Sequence, residues 1–324
     1  MAKSFLFRYR PTPGRSSRGS PAVTDVQVAT FYRFTRLENP VVLQSPLEDR
    51  CAAAGVRGII LLAEEGINAT IAGTAEGIST VIDFLQHDPR LANLTVKRST
   101  ARNPPFRKMR VRIKREIVTM GVPGIDPEQL TGTYVRPEDW NELISDPEVI
   151  VIDTRNDYEV QIGSFQNALD PDIRTFGELP AWLERRIEGT GQPRVAMFCT
   201  GGIRCEKSTA YLKRAGIKDV YHLEGGILKY LETVPEGESL WNGECFVFDE
   251  RVSVTHGLEV GDHELCRACR RPIDRSDRMS SLYLDGVSCP RCHAETTPEQ
   301  KAGFTERRRQ IALAQARGET HPSE

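Results

Sequence analysis

The sequence predicts an α/β multidomain chain: an N-terminal ferredoxin-like α+β domain, a central α/β domain on a parallel sheet, and a C-terminal four-Cys zinc-binding module. Three observations carry this. Residues 26–97 alternate strand-like and helix-like patterns in the order β-α-β-β-α-β, which suggests a small two-layer sandwich. Residues 149–223 alternate short, fully apolar runs with helical segments, the mark of a buried parallel sheet. Two C-x-x-C pairs, Cys266/Cys269 and Cys289/Cys292, stand 19 residues apart near the end. The chain has 324 residues, enough for two or three domains with real cores. Its net charge of -2 excludes a global field pulling it toward nucleic acid or lipid, so a polyanion partner must be held by a local patch. No apolar run approaches the roughly 18–20 residues a membrane span needs.

In the first domain, expected over residues 26–121, Val26–Phe34 reads as a strand. Residues 47–54 read as a helix ended by Gly55, and 58–63 as an apolar strand. Glu65-Gly66-Ile67-Asn68 forms a turn before a strand at 69–72. Thr74 and Glu76 open a helix that Asp88-Pro89 ends, and 94–97 is a further strand. Residues 109–120 then alternate as a strand. Residues 1–25 are expected to be a disordered tail. The first 20 hold five basic residues and no acid, which is also the composition of a transit peptide or of an upstream start.

The central domain is expected over residues 132–235. Val149–Asp153, 195–198 and Val220–Leu223 read as strands, Leu179–Ile187 and 205–215 as helices. Chemistry in such sheets gathers at the carboxyl ends of the strands, where Asp153 and Cys199 lie. Cys199-Thr200-Gly201-Gly202-Ile203-Arg204 joins a strand to a helix. Gly201 and Gly202 let the backbone curl so that successive N–H groups form a nest for an anion. The helix amino terminus and Arg204 add positive charge, and each effect favours thiolate over thiol at Cys199. Phosphatases use C-x5-R, a larger cradle; the C-x4-R spacing here matches the rhodanese form and argues against phosphatase chemistry. Cys205 either resolves an intermediate on Cys199 as a disulfide or occupies the helix start. Asp153 and Arg155 are expected to support the loop or the domain, and 153–168 and His222-Leu223-Glu224-Gly225-Gly226-Ile227 resemble rhodanese signatures.

The four late cysteines, in a module expected over residues 241–300, have the spacing of a tetrahedral zinc site, closed and therefore structural. His263 and His293 are expected to be spectators, and an iron centre is the sharper alternative. Residues 301–324 read as a basic, partly helical or disordered tail. Clustered C-x-x-C pairs and one reactive-looking cysteine indicate a reducing compartment, so a cytoplasmic location is expected. Between Lys97 and Arg115 lie nine basic residues and no acid. Arg102, Phe106, Arg107, Lys108, Arg110 and Arg112 are the RNA-binding candidates, with Phe106 free to stack on an unpaired base. The competing reading is an edge strand protected by charge.

With these residues in view, the chain resembles the bacterial tRNA uridine(34) hydroxylase family, rhodanese-domain proteins acting on the wobble uridine of tRNA. Four features carry the resemblance: Glu64-Glu65-Gly66-Ile67-Asn68; Pro105-Phe106-Arg107-Lys108-Met109 with the basic strand after it; Cys199 through Lys207; and the late cysteine pairs. It spans residues 26–293. It implies an oxidoreductase that hydroxylates C5 of uridine in the anticodon loop, with Cys199 as the active-site cysteine, O2 as co-substrate and an unidentified reductant. The sequence carries no flavin or nicotinamide fingerprint and no evident two-His-one-carboxylate iron triad. A persulfide on Cys199 is a further expectation from the cradle. The alternatives are a sulfurtransferase acting through a Cys199 persulfide and a non-catalytic RNA-binding module.

Overall fold

The computed structural model describes residues 26–101, 104–187, 189 and 191–318. The expectations for 1–25, for Arg102 and for 319–324 lie outside these. The first domain runs β1 (Val26–Phe34), α1 (Val41–Ala53), β2 (Arg57–Ala63), β3 (Gly66–Gly73), α2 (Ala75–Gln86), β4 (Val96–Ala101) and β5 (Met109–Ile113). The strands form one sheet in the order β4-β1-β3-β2-β5, antiparallel except where β5 runs parallel to β2. Period-two alternation gives the sheet two different faces. Ala29, Phe31, Ile60, Leu62, Ile67 and Ile71 point to one face and form the core with α1 and α2. The residues between them point to the other face. α2 begins where expected, with Thr74 Oγ1 accepting from Gly77 N at 3.0 Å. α1 starts six residues earlier than expected and contains Pro46. Pro46 is exposed, so the carbonyl it leaves without a helical partner faces water.

The strand expected over 109–120 stops at Ile113. The alternation beyond it is real but serves two other purposes. Ile117 joins a small cluster with Phe34 and Ala63, and Met120 joins the core of the next domain.

The central domain runs β6 (Thr133–Val135), α3 (Pro137–Ser145), β7 (Val149–Asp153), α4 (Asp157–Val160), β8 (Gly163–Phe165), α5 (Leu179–Ile187), β9 (Arg194–Phe198), α6 (Ile203–Arg214), β10 (Val220–Leu223) and α7 (Gly226–Thr233). β6-β10-β9-β7 form a parallel sheet with apolar clusters on both faces. β11 (Trp241–Gly243) pairs with β8, and β12 (Cys245–Phe246) pairs with β13 (Ser253–Val254). Trp241, Cys245, Val247 and Val254 pack into the central core, so packing crosses the boundary expected at residue 241. Beyond them lie β14 (Glu264–Leu265), β15 (Pro272–Ile273), α8 (Arg275–Met279) and α9 (Pro298–Ala316). Among the described residues no helix is long and apolar enough to cross a membrane.

Candidate active site at the Cys199 loop

β9 ends at Phe198 and α6 begins at Ile203, so the turn is shorter than the sequence suggested. Cys199 is 1% exposed. Its Sγ accepts from the Gly202 N–H at 3.1 Å. Gly202 sits at φ 105, and a Cβ there would fall 2.7 Å from the Tyr32 hydroxyl, so conformation and space both demand glycine. Gly201 is different: its φ is not positive and its missing side chain faces open space, so only one of the two glycines is required by the curl. Gly226, at φ 68, lets α7 abut the loop; a Cβ there would meet the Cys199 and Thr200 carbonyls at 2.5 and 2.7 Å. Ile227 N and Leu228 N donate to those carbonyls at 3.0 and 3.1 Å. Thr154 holds the loop from β7, its N and Oγ1 both donating to Phe198 O at 3.0 Å.

Burial alone would push the Cys199 thiol up. The Cys205 thiol, the Arg204 charge and the backbone N–H groups of Cys205 and Gly202 outweigh it and leave Cys199 well below the ordinary thiol range. Cys205 is pushed the other way by its burial and by donating to the Cys199 sulfur. Its Sγ also lies 3.6 Å from Thr154 Oγ1. The pair is thus split, Cys205 pushed toward the thiol and Cys199 toward the thiolate, and both cysteines are free of disulfides.

Arg204 does not act as the full uncompensated charge that the spacing suggested. Its Nη1 and Nη2 donate to the two carboxylate oxygens of Glu159 at 2.6 and 2.8 Å, and Glu159 is 0% exposed. Burial raises Glu159, but the Arg204 charge and hydrogen bonds and the Arg155 charge hold it below the usual carboxylate range. Thr200 Oγ1 bridges the pair, donating to Glu159 at 3.3 Å and accepting from Arg204 at 3.2 Å. Below them Asp153 and Arg155 form a closed buried pair at 2.6 Å. Arg155 also donates to Glu159 O and Gly163 O, and its guanidinium lies over Trp241.

The helix-free face of the N-terminal sheet covers this loop. In antiparallel pairs, facing residues point to one side. The register Tyr32↔Asn68, Thr30↔Lys97 and Val28↔Ser99 therefore sends Tyr32, Asn68, Lys97 and Ser99 to that face. Tyr32 Oη donates to Glu206 Oε1 at 2.7 Å, and the Tyr134 phenol lies nearby. Burial and the neighbouring Cys199 raise Glu206 despite these two phenols. Lys97 Nζ donates to Gly201 O and Gly225 O at 2.8 and 2.5 Å. Ile203 packs toward Phe34 and Ile117. Lys207 donates to Glu65 at 2.7 Å, Glu116 at 2.5 Å and Val118 O at 3.0 Å. Glu65 and Asn68 in turn clamp Ile117 through its N–H and its carbonyl. The Glu64-to-Asn68 and Cys205-Glu206-Lys207 motifs are thus two halves of one domain contact. Sequence reasoning missed Tyr32, Lys97, Tyr134, Glu159 and Glu206 as site residues. Glu206 had a signal in its place beside Cys205, Glu159 in the run 153–168, and Lys97 in the basic run.

The basic run does not form the single patch expected from its spacing. Lys97 and Arg98 lie on edge strand β4, and Arg110 and Arg112 on the opposite edge, β5. Arg107, Lys108, Arg110 and Arg112 are exposed. Phe106 is half-buried against Val28, Ala72 and Ala101, so its ring is largely engaged in packing. A different aromatic is open beside the loop: Phe248 is 60% exposed, with the Arg204 guanidinium 6.0 Å from its ring centre.

Cys266, Cys269, Cys289 and Cys292 converge, their sulfurs all within 4.8 Å of one another. Cys269 and Cys289 lie 3.8 Å apart, Cys289 and Cys292 3.7 Å. Tetrahedral Zn–S bonds of about 2.3 Å place sulfurs roughly 3.8 Å apart, so the four residues fit that ion. His263 is engaged by Glu244 at 2.7 Å, outside the cluster.

Residues 26–117 match the family model described as the UPF0176 acylphosphatase-like domain, and residues 136–233 the rhodanese-like domain. A tRNA uridine(34) hydroxylase of Gluconobacter oxydans is 57% identical over 300 residues, covering 91% of this chain and 96% of its own. A protein of the same name from Albidiferax ferrireducens is 58% identical over 303 residues, covering 92% and 95%. Another, from Acaryochloris marina, is 54% identical over 299 residues, covering 92% and 96%. Identity at this level, over about nine-tenths of the chain and of each relative, makes the chain a member of the tRNA uridine(34) hydroxylase family.

Proposed function

We propose that this protein hydroxylates the wobble uridine of tRNA at C5, giving 5-hydroxyuridine, with Cys199 as the reactive sulfur. The carrying observation is a cysteine held below the ordinary thiol range, buried at the seam between its own domain and the sheet that covers it. Inserting one oxygen atom at C5 takes O2 and two electrons from a reductant. This chain's residues hold the sulfur anion, exclude water and keep a proton nearby. Gly202 N–H and Cys205 stabilise charge on Cys199, and the same nest suits a persulfide. Glu206, raised toward its protonated form, is placed to give or take a proton beside that sulfur. The four-cysteine cluster would hold zinc as a brace, since four thiolates leave no open position.

The substrate's anticodon loop is single-stranded, so a base can enter with little unpairing. Arg110 and Arg112 pair in register with Ile59 and Leu61 and project from the same sheet face as Lys97 and Tyr32. Four strand spacings separate the β5 and β4 edges, roughly 19 Å, a span that a few nucleotides cross. Phe248 is the exposed ring on which a flanking base would stack.

The test is nucleoside mass spectrometry of tRNA from a deletion strain. We expect 5-hydroxyuridine to disappear, to return with the wild type and not with Cys199→Ala. Unchanged 5-hydroxyuridine in the deletion refutes the reading, and rescue by Cys199→Ala refutes the role of Cys199. Intact-mass analysis of active protein checks the persulfide through its added sulfur. A thiosulfate:cyanide assay addresses sulfur transfer directly.

A further inference from the structure

We infer that Lys97, contributed by the N-terminal sheet, supplies the positive charge that balances the Cys199 anion, so that the active site is complete only when the two domains are docked. The inference rests on reading Cys199 as the reactive sulfur, and it concerns the charge at that sulfur whatever reaction follows.

Charge pairing singles Lys97 out. The two arginines nearest the loop are committed to carboxylates, Arg204 to Glu159 and Arg155 to Asp153, through paired hydrogen bonds in full burial. Each pair is close to neutral in net charge, although the Arg204 guanidinium still lowers Cys199. Lys97 is different. Its ammonium donates to Gly201 O and Gly225 O, both neutral carbonyls, on the two segments that wall the Cys199 cradle. Among the described residues it makes no ion pair with a carboxylate. An ammonium has three donors, and these carbonyls account for two. Lys97 is half-buried, and a cation partly withdrawn from water without an anion is disfavoured, so the site favours one.

The candidates for that anion can be weighed. Burial pulls the Lys97 amine down to about 8, and Cys199 is the strongest influence pulling it back up, ahead of Glu206. Glu206 already accepts from Tyr32 and is itself pushed toward its neutral form. Lys229 and Glu232 pair with each other at 3.0 Å and are half-exposed. Cys205 and Tyr32 are pushed toward their protonated forms. Cys199 is left as the anion that Lys97 faces. Strand parity turns Lys97 to the face that covers the loop and sends its neighbour Arg98 to the other.

The experiment is the pH dependence of iodoacetamide alkylation at Cys199 in the full-length protein, located by peptide mass spectrometry. Wild type, Lys97→Met and Lys97→Arg are compared. Where an opposite charge lies within about 4–6 Å, removing it moves an acidic group by about 1–3 pH units. We expect that upward move in Lys97→Met and a midpoint near wild type in Lys97→Arg. A structural pin would behave otherwise: Lys97→Met would speed alkylation at every pH and leave the midpoint in place, which overturns the inference. A wild-type midpoint in the ordinary thiol range would instead refute the reading of Cys199 itself, so the two failures are distinct. The reciprocal measurement leaves Lys97 unchanged and covers the case in which Lys97→Met does not fold. By nitrogen-15 NMR of labelled lysine, the Lys97 amine in Cys199→Ser should titrate lower than in wild type. An identical titration in the two proteins overturns the inference.

Discussion

His222 is a base kept neutral by its surroundings. It is 1% exposed, its Nδ1 lies 3.2 Å from Thr209 Oγ1, and its Nε2 has no hydrogen-bond partner. Burial lowers it from 6.5 to about 4. The sign follows from proton binding: between these values the unfolded chain takes up a proton that the folded chain refuses, so stability falls as pH falls. The difference corresponds to up to about 3 kcal/mol. Urea unfolding at pH 7 and pH 4.5 should show this loss, and His222→Gln should reduce it; an identical pH slope in the variant would remove His222 from the account. Glu159 acts in the same direction but in a lower window. Its folded value is depressed, so its stabilisation is complete above about pH 4.5 and is lost as pH falls through the folded value.

Edge strand β5 belongs to the scale of the element. Its parity sends Val111 into the core and Arg110 and Arg112 to the other face, exposed. Arg107 and Lys108 precede it, also exposed. Such a row either protects a sheet edge or tracks phosphates. If it tracks phosphates, Arg107→Glu with Lys108→Glu should weaken tRNA binding and flatten its dependence on salt. The log–log slope should fall by about 0.7, the single-strand value, for each phosphate that is no longer neutralised. Unaltered binding across 50 to 200 mM salt, conditions of the order used for such measurements, would assign the row to edge protection. Folding should be little affected, because these side chains are in water.

At the scale of the molecule, Lys207 holds the two domains together. It is 1% exposed, and Glu65 and Glu116 converge on it from β3's leading turn and from the linker. Burial would raise Glu116, but Lys207 and the Met120 and Gly121 N–H groups hold it low. Lys207→Met would leave two carboxylates facing each other with no cation; because Glu65 and Glu116 remain partly in water, the loss should fall below the roughly 3–5 kcal/mol of a fully buried broken pair. All three tryptophans, Trp140, Trp182 and Trp241, lie in the central domain or pack on its core. Fluorescence therefore follows that domain, while far-UV circular dichroism follows the whole chain. Coincident denaturant curves in the wild type should separate in Lys207→Met. Curves that stay coincident would mean that the apolar packing of Phe34, Ala63, Ile117 and Ile203 suffices to couple the domains.

What could be read without the structure was local. The β-α-β-β-α-β order, the Thr74 cap and the strand–Cys199–helix turn are written in neighbouring residues, because periodicity, capping and turn chemistry act over a few positions. The four cysteines were legible for a similar reason: each pair sits on one short turn, and two such turns bring four sulfurs close enough to hold a metal. What only the tertiary structure decided was charge. Arg204 was visible, but Glu159, 45 residues before it, was not recognisable as its partner. Lys97 read as one more member of a basic run until sheet parity turned it toward a loop 104 residues away. Tyr32 reaches Glu206 across 174 residues. Electrostatic effects depend on distance and burial in three dimensions, and sequence spacing carries neither once two domains pack face to face.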